Sequence, residues 1–157
     1  MKFKNFSIIF LMLSLLLAGC AVSSNSKADI DFTQQNFDSV AQDTVTHLFL
    51  LYKNFDPVSF SQALSRDILP DKQQFISDVA ASVQQQKVEQ IKFLKDYIAA
   101  KVNVMSITVK WEKTYTVTAT GAIFTAKGKS ELIFRRYNGD WLLNAVNGDS
   151  PFSTEHN

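Results

Sequence analysis

Residues 132–152 read LIFRRYNGDWLLNAVNGDSPF. Leu132 and Phe134 stand two apart and so share one face of an extended chain, Asn138-Gly139-Asp140 is a turn sequence that tolerates positive φ, and Trp141 opens a second apolar run to Asn147. A strand, a tight turn and a returning strand make a hairpin. Upstream the same period of two continues, with β-branched and aromatic residues prominent. Val102–Thr118 alternates Met105, Ile107, Val109, Trp111, Tyr115 and Val117, and Gly121 marks the turn into a strand over Ile123–Arg136. Val88–Tyr97 places Ile91, Phe93 and Tyr97 on one face. Four long strands joined by short turns predict an antiparallel meander.

Before Gln86 the period is helical. From Thr33 to Phe55 the residues Phe37, Val40, Val45, Leu48, Phe49, Tyr52 and Phe55 fall within one half of a helical wheel, which predicts a long amphipathic helix. Asp56-Pro57 is an N-cap followed by proline at the first helical position, and it predicts a short second helix to about Leu64. Pro70-Asp71, with Gln74 three residues beyond the aspartate, reads as a capping box opening a third helix to about Gln86, its apolar face formed by Phe75, Ile76, Val79 and Val83. A sheet with one apolar face needs a cover, and these helices are what the sequence offers. The expected fold class is α+β: N-terminal helices packed on a curved, cone-like antiparallel sheet of four strands or slightly more.

The first 19 residues have the layout of an export signal. Lys2 and Lys4 supply positive charge, Ile8 to Leu17 is apolar apart from Ser14, and small residues precede Cys20. The apolar run is about half of the ~20 residues a spanning helix needs. Leu17-Ala18-Gly19-Cys20 resembles the lipobox of bacterial lipoproteins, which implies cleavage between Gly19 and Cys20, a diacylglyceryl group on the thiol and an acyl chain on the new amine. Cys20 is the chain's one cysteine, so an internal disulfide is ruled out. Two or more acyl chains hold firmly, each buried methylene contributing about 0.8 kcal/mol. Ala21 follows where lipoproteins kept at the inner membrane often carry Asp, and by that resemblance the protein is expected on the outer membrane, facing the periplasm. Residues 20–30 then serve as lipidated cysteine and flexible tether, 31–152 as the domain, and 153–157 as a frayed tail.

The folded part resembles the nuclear transport factor 2-like superfamily, the cystatin-like α+β cone, and in particular its small bacterial lipoproteins. The likeness is carried by Phe60–Asp71 (FSQALSRDILPD), Val109–Thr114 (VKWEKT) and the closing Leu132–Phe152. Family members with isomerase or dehydratase activity place Asp, His or Tyr inside the cone, and no such set maps onto this sequence.

Chemistry is sparse. Two of the 16 basic side chains lie in the leader, leaving 14 against 15 acidic, with no basic run of the kind nucleic acid requires; the doublet Arg135-Arg136 points to opposite faces of a strand. Two histidines and no cysteine after Cys20 argue against a zinc site, and no cofactor beyond the lipid is expected. Asp43 and His47 stand at i, i+4 and could meet as an acid/base pair, but the wheel puts them on a polar strip with Asn36 and Asn54. Glu112, flanked by Lys110 and Lys113, reads as a surface ion pair. Asp67, beside Arg66, reads as fixing a turn. The aromatic residues Phe93, Tyr97, Trp111, Tyr115, Phe124, Phe134 and Trp141 either fill the core or line an apolar cavity, and Trp111, Tyr115 and Tyr97 are the candidates for its rim. The expected role is non-catalytic: binding an envelope protein or a small apolar ligand. The alternatives are an isomerase or dehydratase, and an assembly subunit that dimerises through the sheet face.

Overall fold

The computed structural model describes the backbone from Ser26 to Thr154 and side chains from Asn36 onward. The leader, Gly19 and Cys20 lie outside the described residues. The chain divides into two units, Met1–Thr33 and Gln34–Asn157, and everything below concerns the second apart from the first turns of the opening helix.

Among the described residues three helices precede four strands: α1 (Ser26–Lys53), α2 (Pro57–Gln62), α3 (Lys72–Gln85), β1 (Gln86–Lys101), β2 (Val104–Val117), β3 (Ile123–Tyr137) and β4 (Asp140–Gly148). The strands form one antiparallel, curved and unclosed sheet in the order β1-β2-β3-β4. Thus the expected fold class is the observed one. Helix α1 starts seven residues before the Thr33 inferred from periodicity.

Local chemistry explains the boundaries. Asp56 caps α2, its carboxylate accepting from the Ser59 amide at 2.8 Å and the Ser59 hydroxyl at 2.7 Å. Asp71 caps α3, accepting from the amides of Gln73 and Gln74 at 2.9 and 3.0 Å. Only half of the expected capping box forms: the Gln74 side chain donates forward to Asp78 at 2.7 Å rather than back to the Asp71 amide. Asn138 and Gly139, with φ of 51° and 101°, make the two-residue turn between β3 and β4.

Two strands depart from simple alternation: β4, whose pairing with β3 shifts register between Ile133 and Phe134, and β1. β1 carries irregularities between Val88 and Gln90 and between Lys95 and Tyr97. The second inserts an extra residue at Asp96 and reverses the side-chain parity beyond it, so Tyr97 pairs with Thr108 and is 64% exposed while Phe93 faces the helices. The shared face expected for Ile91, Phe93 and Tyr97 is therefore corrected at Tyr97.

The core lies between α1 and the inner face of the sheet. Val45, Leu48, Phe49 and Tyr52 of α1 meet Met105, Ile107, Val109, Leu132, Phe134 and Leu143, all buried. Gly128 leaves room for the Trp111 ring, since a Cβ there would lie 2.5 Å from it. The outer face is polar: Lys110 and Lys129 both reach Asp96, Lys127 meets Glu112, and Glu131 accepts from Ser106 and Asn147.

Candidate functional site

Two places in the Gln34–Asn157 unit gather polar groups around apolar walls. The first is the interior of the cone. Lys113 sits on β2 between Trp111 and Tyr115 on the inward parity of the strand, and it is 1% exposed. Its ammonium donates to Ser153 O at 2.9 Å, Pro151 O at 3.0 Å and the Tyr52 hydroxyl at 3.3 Å, and it lies 5.4 and 5.6 Å from the ring centroids of Tyr115 and Tyr52. Three protons thus meet three neutral oxygens; among the described residues no carboxylate pairs with it. Burial disfavours the charged form and pulls its pKa down to about 8. Burial likewise raises that of Tyr52. Gln86 completes the cluster, donating to Ser82 Oγ at 2.8 Å and reaching Ser153 O at 3.3 Å.

The segment after β4 closes this interior. Gly148, at φ +83°, takes a conformation that side chains oppose, and a Cβ there would meet Lys129 O at 2.7 Å. Asp149 then fastens to the sheet: its carboxylate accepts from the Lys129 amide, and its carbonyl accepts from Ser130 Oγ and the Trp111 indole. This turn sends Phe152 inward, edge-on to Tyr52, Phe75, Phe60 and Phe49 at 5.1 to 6.0 Å between centroids. Ser153, expected in a frayed tail, is instead held by Lys113 and Gln86.

The second place is a cleft of about 620 Å³ between α1, α2 and the β3–β4 turn. Its floor is apolar, from Leu48, Leu51, Ala63, Phe134, Trp141 and Leu142. Its rim is polar, with Asp43, Thr44, His47, Ser59, Gln62 and Asp140. The segment after α2 holds the walls together by running beside β4: the Ser65 amide donates to Leu143 O at 2.8 Å, the Leu143 amide to Ala63 O at 2.9 Å, and the Ser65 hydroxyl to Asn144 at 2.9 Å. That pairing also covers an edge of the sheet. The Arg136 guanidinium lies 5.8 Å from the Trp141 ring and braces it. Asp43 and His47 are both exposed, as their polar strip implied, and both face the cleft; no hydrogen bond or ion pair joins them among the described residues. A cleft of this size and lining suits a small molecule with an apolar body and a polar head.

The three aromatic residues expected at a rim are dispersed. Trp111 is buried with its indole proton bonded to Ser130 Oγ, Tyr115 is buried beside Lys113 and stacked on Phe124, and Tyr97 lies outside on β1. Of the other rings, Phe134 and Trp141 reach the cleft, while Phe124 is half exposed. Asp67 accepts from Tyr137 at 3.3 Å and its amide donates to Ser65 Oγ, which fits a turn-fixing role. Glu112 pairs with Lys127 at 2.7 Å, whereas Lys113, expected beside it on a solvent face, points the opposite way. Strand parity carried that signal: Lys113 stands two residues from both Trp111 and Tyr115.

No family model matches the chain, and no curated protein sequence matches it. Solved structures do. A nuclear transport factor 2-like superfamily protein from Salmonella enterica superposes with a TM-score of 0.60 at 14% identity, covering 78% of this chain and 96% of that one. A ketosteroid isomerase-like protein from Erwinia carotovora atroseptica gives 0.59 at 13% identity, over 72% and 96%. A type 2 hexachlorocyclohexane dehydrochlorinase gives 0.56 at 11% identity, over 76% and 88%. The fold is thus that of the nuclear transport factor 2-like cone, which supports both enzymes and proteins of other roles.

Proposed function

We propose that the protein is an exported domain, anchored by lipid at Cys20, that binds a small molecule with an apolar body and a polar head in the cleft between α1, α2 and the β3–β4 turn. The observation that carries this reading is the cleft itself: an apolar floor ending on Trp141, a rim of hydrogen-bonding groups, and walls pinned by backbone bonds rather than by loose loops. The role is non-catalytic. Catalysis by a buried acid needs a carboxyl or imidazole aimed into an apolar interior, and the interior of this cone holds Lys113, locked by its own tail.

A second reading has one observation in its favour. Asp43 and His47 both face the cleft, and a carboxylate with an imidazole at one rim could move protons in an isomerase or dehydratase reaction. One experiment separates the two. The full chain, extracted in mild detergent from the envelope of its native host, is weighed by native mass spectrometry, and any retained compound is returned to fresh protein. Recovery of the compound unchanged supports binding. Conversion to an isomer or a dehydrated product, lost in Asp43→Asn and His47→Gln, establishes the enzyme and overturns the non-catalytic role. A chain that carries nothing, and takes up nothing from an extract of the same envelope, sinks both.

A further inference from the structure

Phe152 enters the cone as a ligand would. Its ring is 2% exposed and meets four aromatic rings from α1, α2 and α3, while the carbonyls on either side of it accept two of the three hydrogen bonds of the Lys113 ammonium. Little else holds it. From Ser150 onward the segment's remaining hydrogen bonds among the described residues are the one from Gln86 and three internal ones: the Phe152 amide to Ser150 Oγ, and the Ser153 amide and hydroxyl to Ser150 O. The internal bonds would travel with the segment if it left.

We propose that residues 150–153 are a built-in occupant of the cone, and that a free aromatic carboxylate competes with them for the ring socket and the Lys113 ammonium. The ammonium is what makes the site selective. Held by neutral oxygens in a dry interior, it keeps much of the cost of leaving water, which a carboxylate would offset with a full charge. The present bonds carry charge on the donor alone, whereas an ammonium–carboxylate bond carries it on both partners and adds their direct attraction. The edge-to-face arrangement of Phe49, Tyr52, Phe60 and Phe75 around one phenyl ring fixes the body of the competitor as a single aromatic ring. This site is separate from the cleft: none of the residues that hold Phe152 or Lys113 lines it.

The test uses phenylacetate and its neutral counterpart phenylacetamide on the full-length chain. Phe152→Ala should bind phenylacetate about tenfold more tightly than the unaltered chain does, because no ring has to leave first, and about tenfold more tightly than it binds phenylacetamide. Adding Lys113→Met should remove the preference for the acid. Equal binding by Phe152→Ala and the unaltered chain, or equal binding of acid and amide, overturns the proposal. Should Phe152→Ala fail to fold, the unaltered sequence carrying 4-fluorophenylalanine at position 152 serves. Its fluorine resonance should move toward the solvent value with phenylacetate and stay in place with phenylacetamide. A resonance unmoved by phenylacetate up to its solubility overturns it equally.

Discussion

Lys113 holds its charge where water does not reach, and the consequence is a stability that depends on alkaline pH in an unusual direction. Its folded pKa is about 8, below the ordinary lysine value, so between about pH 8 and 10 the unfolded chain binds more protons than the folded one and stability rises with pH. Tyr52 works in the opposite sense: burial raises its pKa, the unfolded chain loses the phenol proton first, and stability falls once pH passes the ordinary tyrosine value near 10. Denaturant unfolding across this range should show stability climbing by roughly 2–3 kcal/mol from pH 8 to 10 and then turning down. Lys113→Met should flatten the climb, and a climb that survives the substitution would contradict the placement of this side chain. The residue was within reach of the sequence. Parity puts 113 on the face of Trp111 and Tyr115, but a lysine beside Glu112 invites a surface reading, and nothing local announces that residues 151 and 153 will supply oxygens for it.

At the scale of elements, the helix caps and the sheet parity make separable predictions. Asp71→Ala should destabilise the protein by about 1 kcal/mol, because two amide donors of α3 lose their acceptor. Gln74→Ala should change stability by no more than about 0.5 kcal/mol, since its side chain bonds only to exposed Asp78. A loss at Gln74 equal to that at Asp71 would mean that the full capping box forms in solution. In β1, Tyr97→Lys should be tolerated, whereas Phe93→Ala should cost about 2 kcal/mol or more by emptying a place against Phe49. Chemical denaturation of the two variants decides whether the strand reverses parity at Asp96. Element order, all four strands, both caps and the Asn138-Gly139 turn were legible, because periodicity and turn chemistry are local properties. The irregularities in β1 were not. They are shifts in the register of β1 against β2, beside one of which Lys95 meets Asp38 of α1 at 2.9 Å, and a pairing between distant segments is not recorded in any single stretch of chain.

For the whole molecule, the sheet divides labour between its faces. The inner face builds the core and the cone, while the outer face carries Asp96 and Glu112 in ion pairs, their carboxyls held below the usual range by hydrogen bonds to Lys129, Lys110 and Lys127. Exposed pairs of this kind contribute little to stability and suit a wet surface. The cleft was only partly legible. Periodicity put Asp43 and His47 on a polar strip, but part of the opposing wall comes from the β3–β4 turn, some 90 residues along the chain, and the pairing of the segment after α2 with β4 brings the walls together. At this scale the anchor makes its own prediction: Cys20→Ser should block lipidation and leave an uncleaved precursor, read by the mass of the membrane-bound chain. A matured, membrane-bound Cys20→Ser protein would remove the anchor from the proposal.

The most direct test of the proposed binding role is a titration of any compound recovered with the chain from its native host into isotope-labelled full-length protein, followed by amide resonances. Shifts confined to residues 43–51, 59–63 and 139–142 are the expected result. Shifts centred on Lys113 and Phe152 with the cleft silent, or no shifts at all, would contradict it.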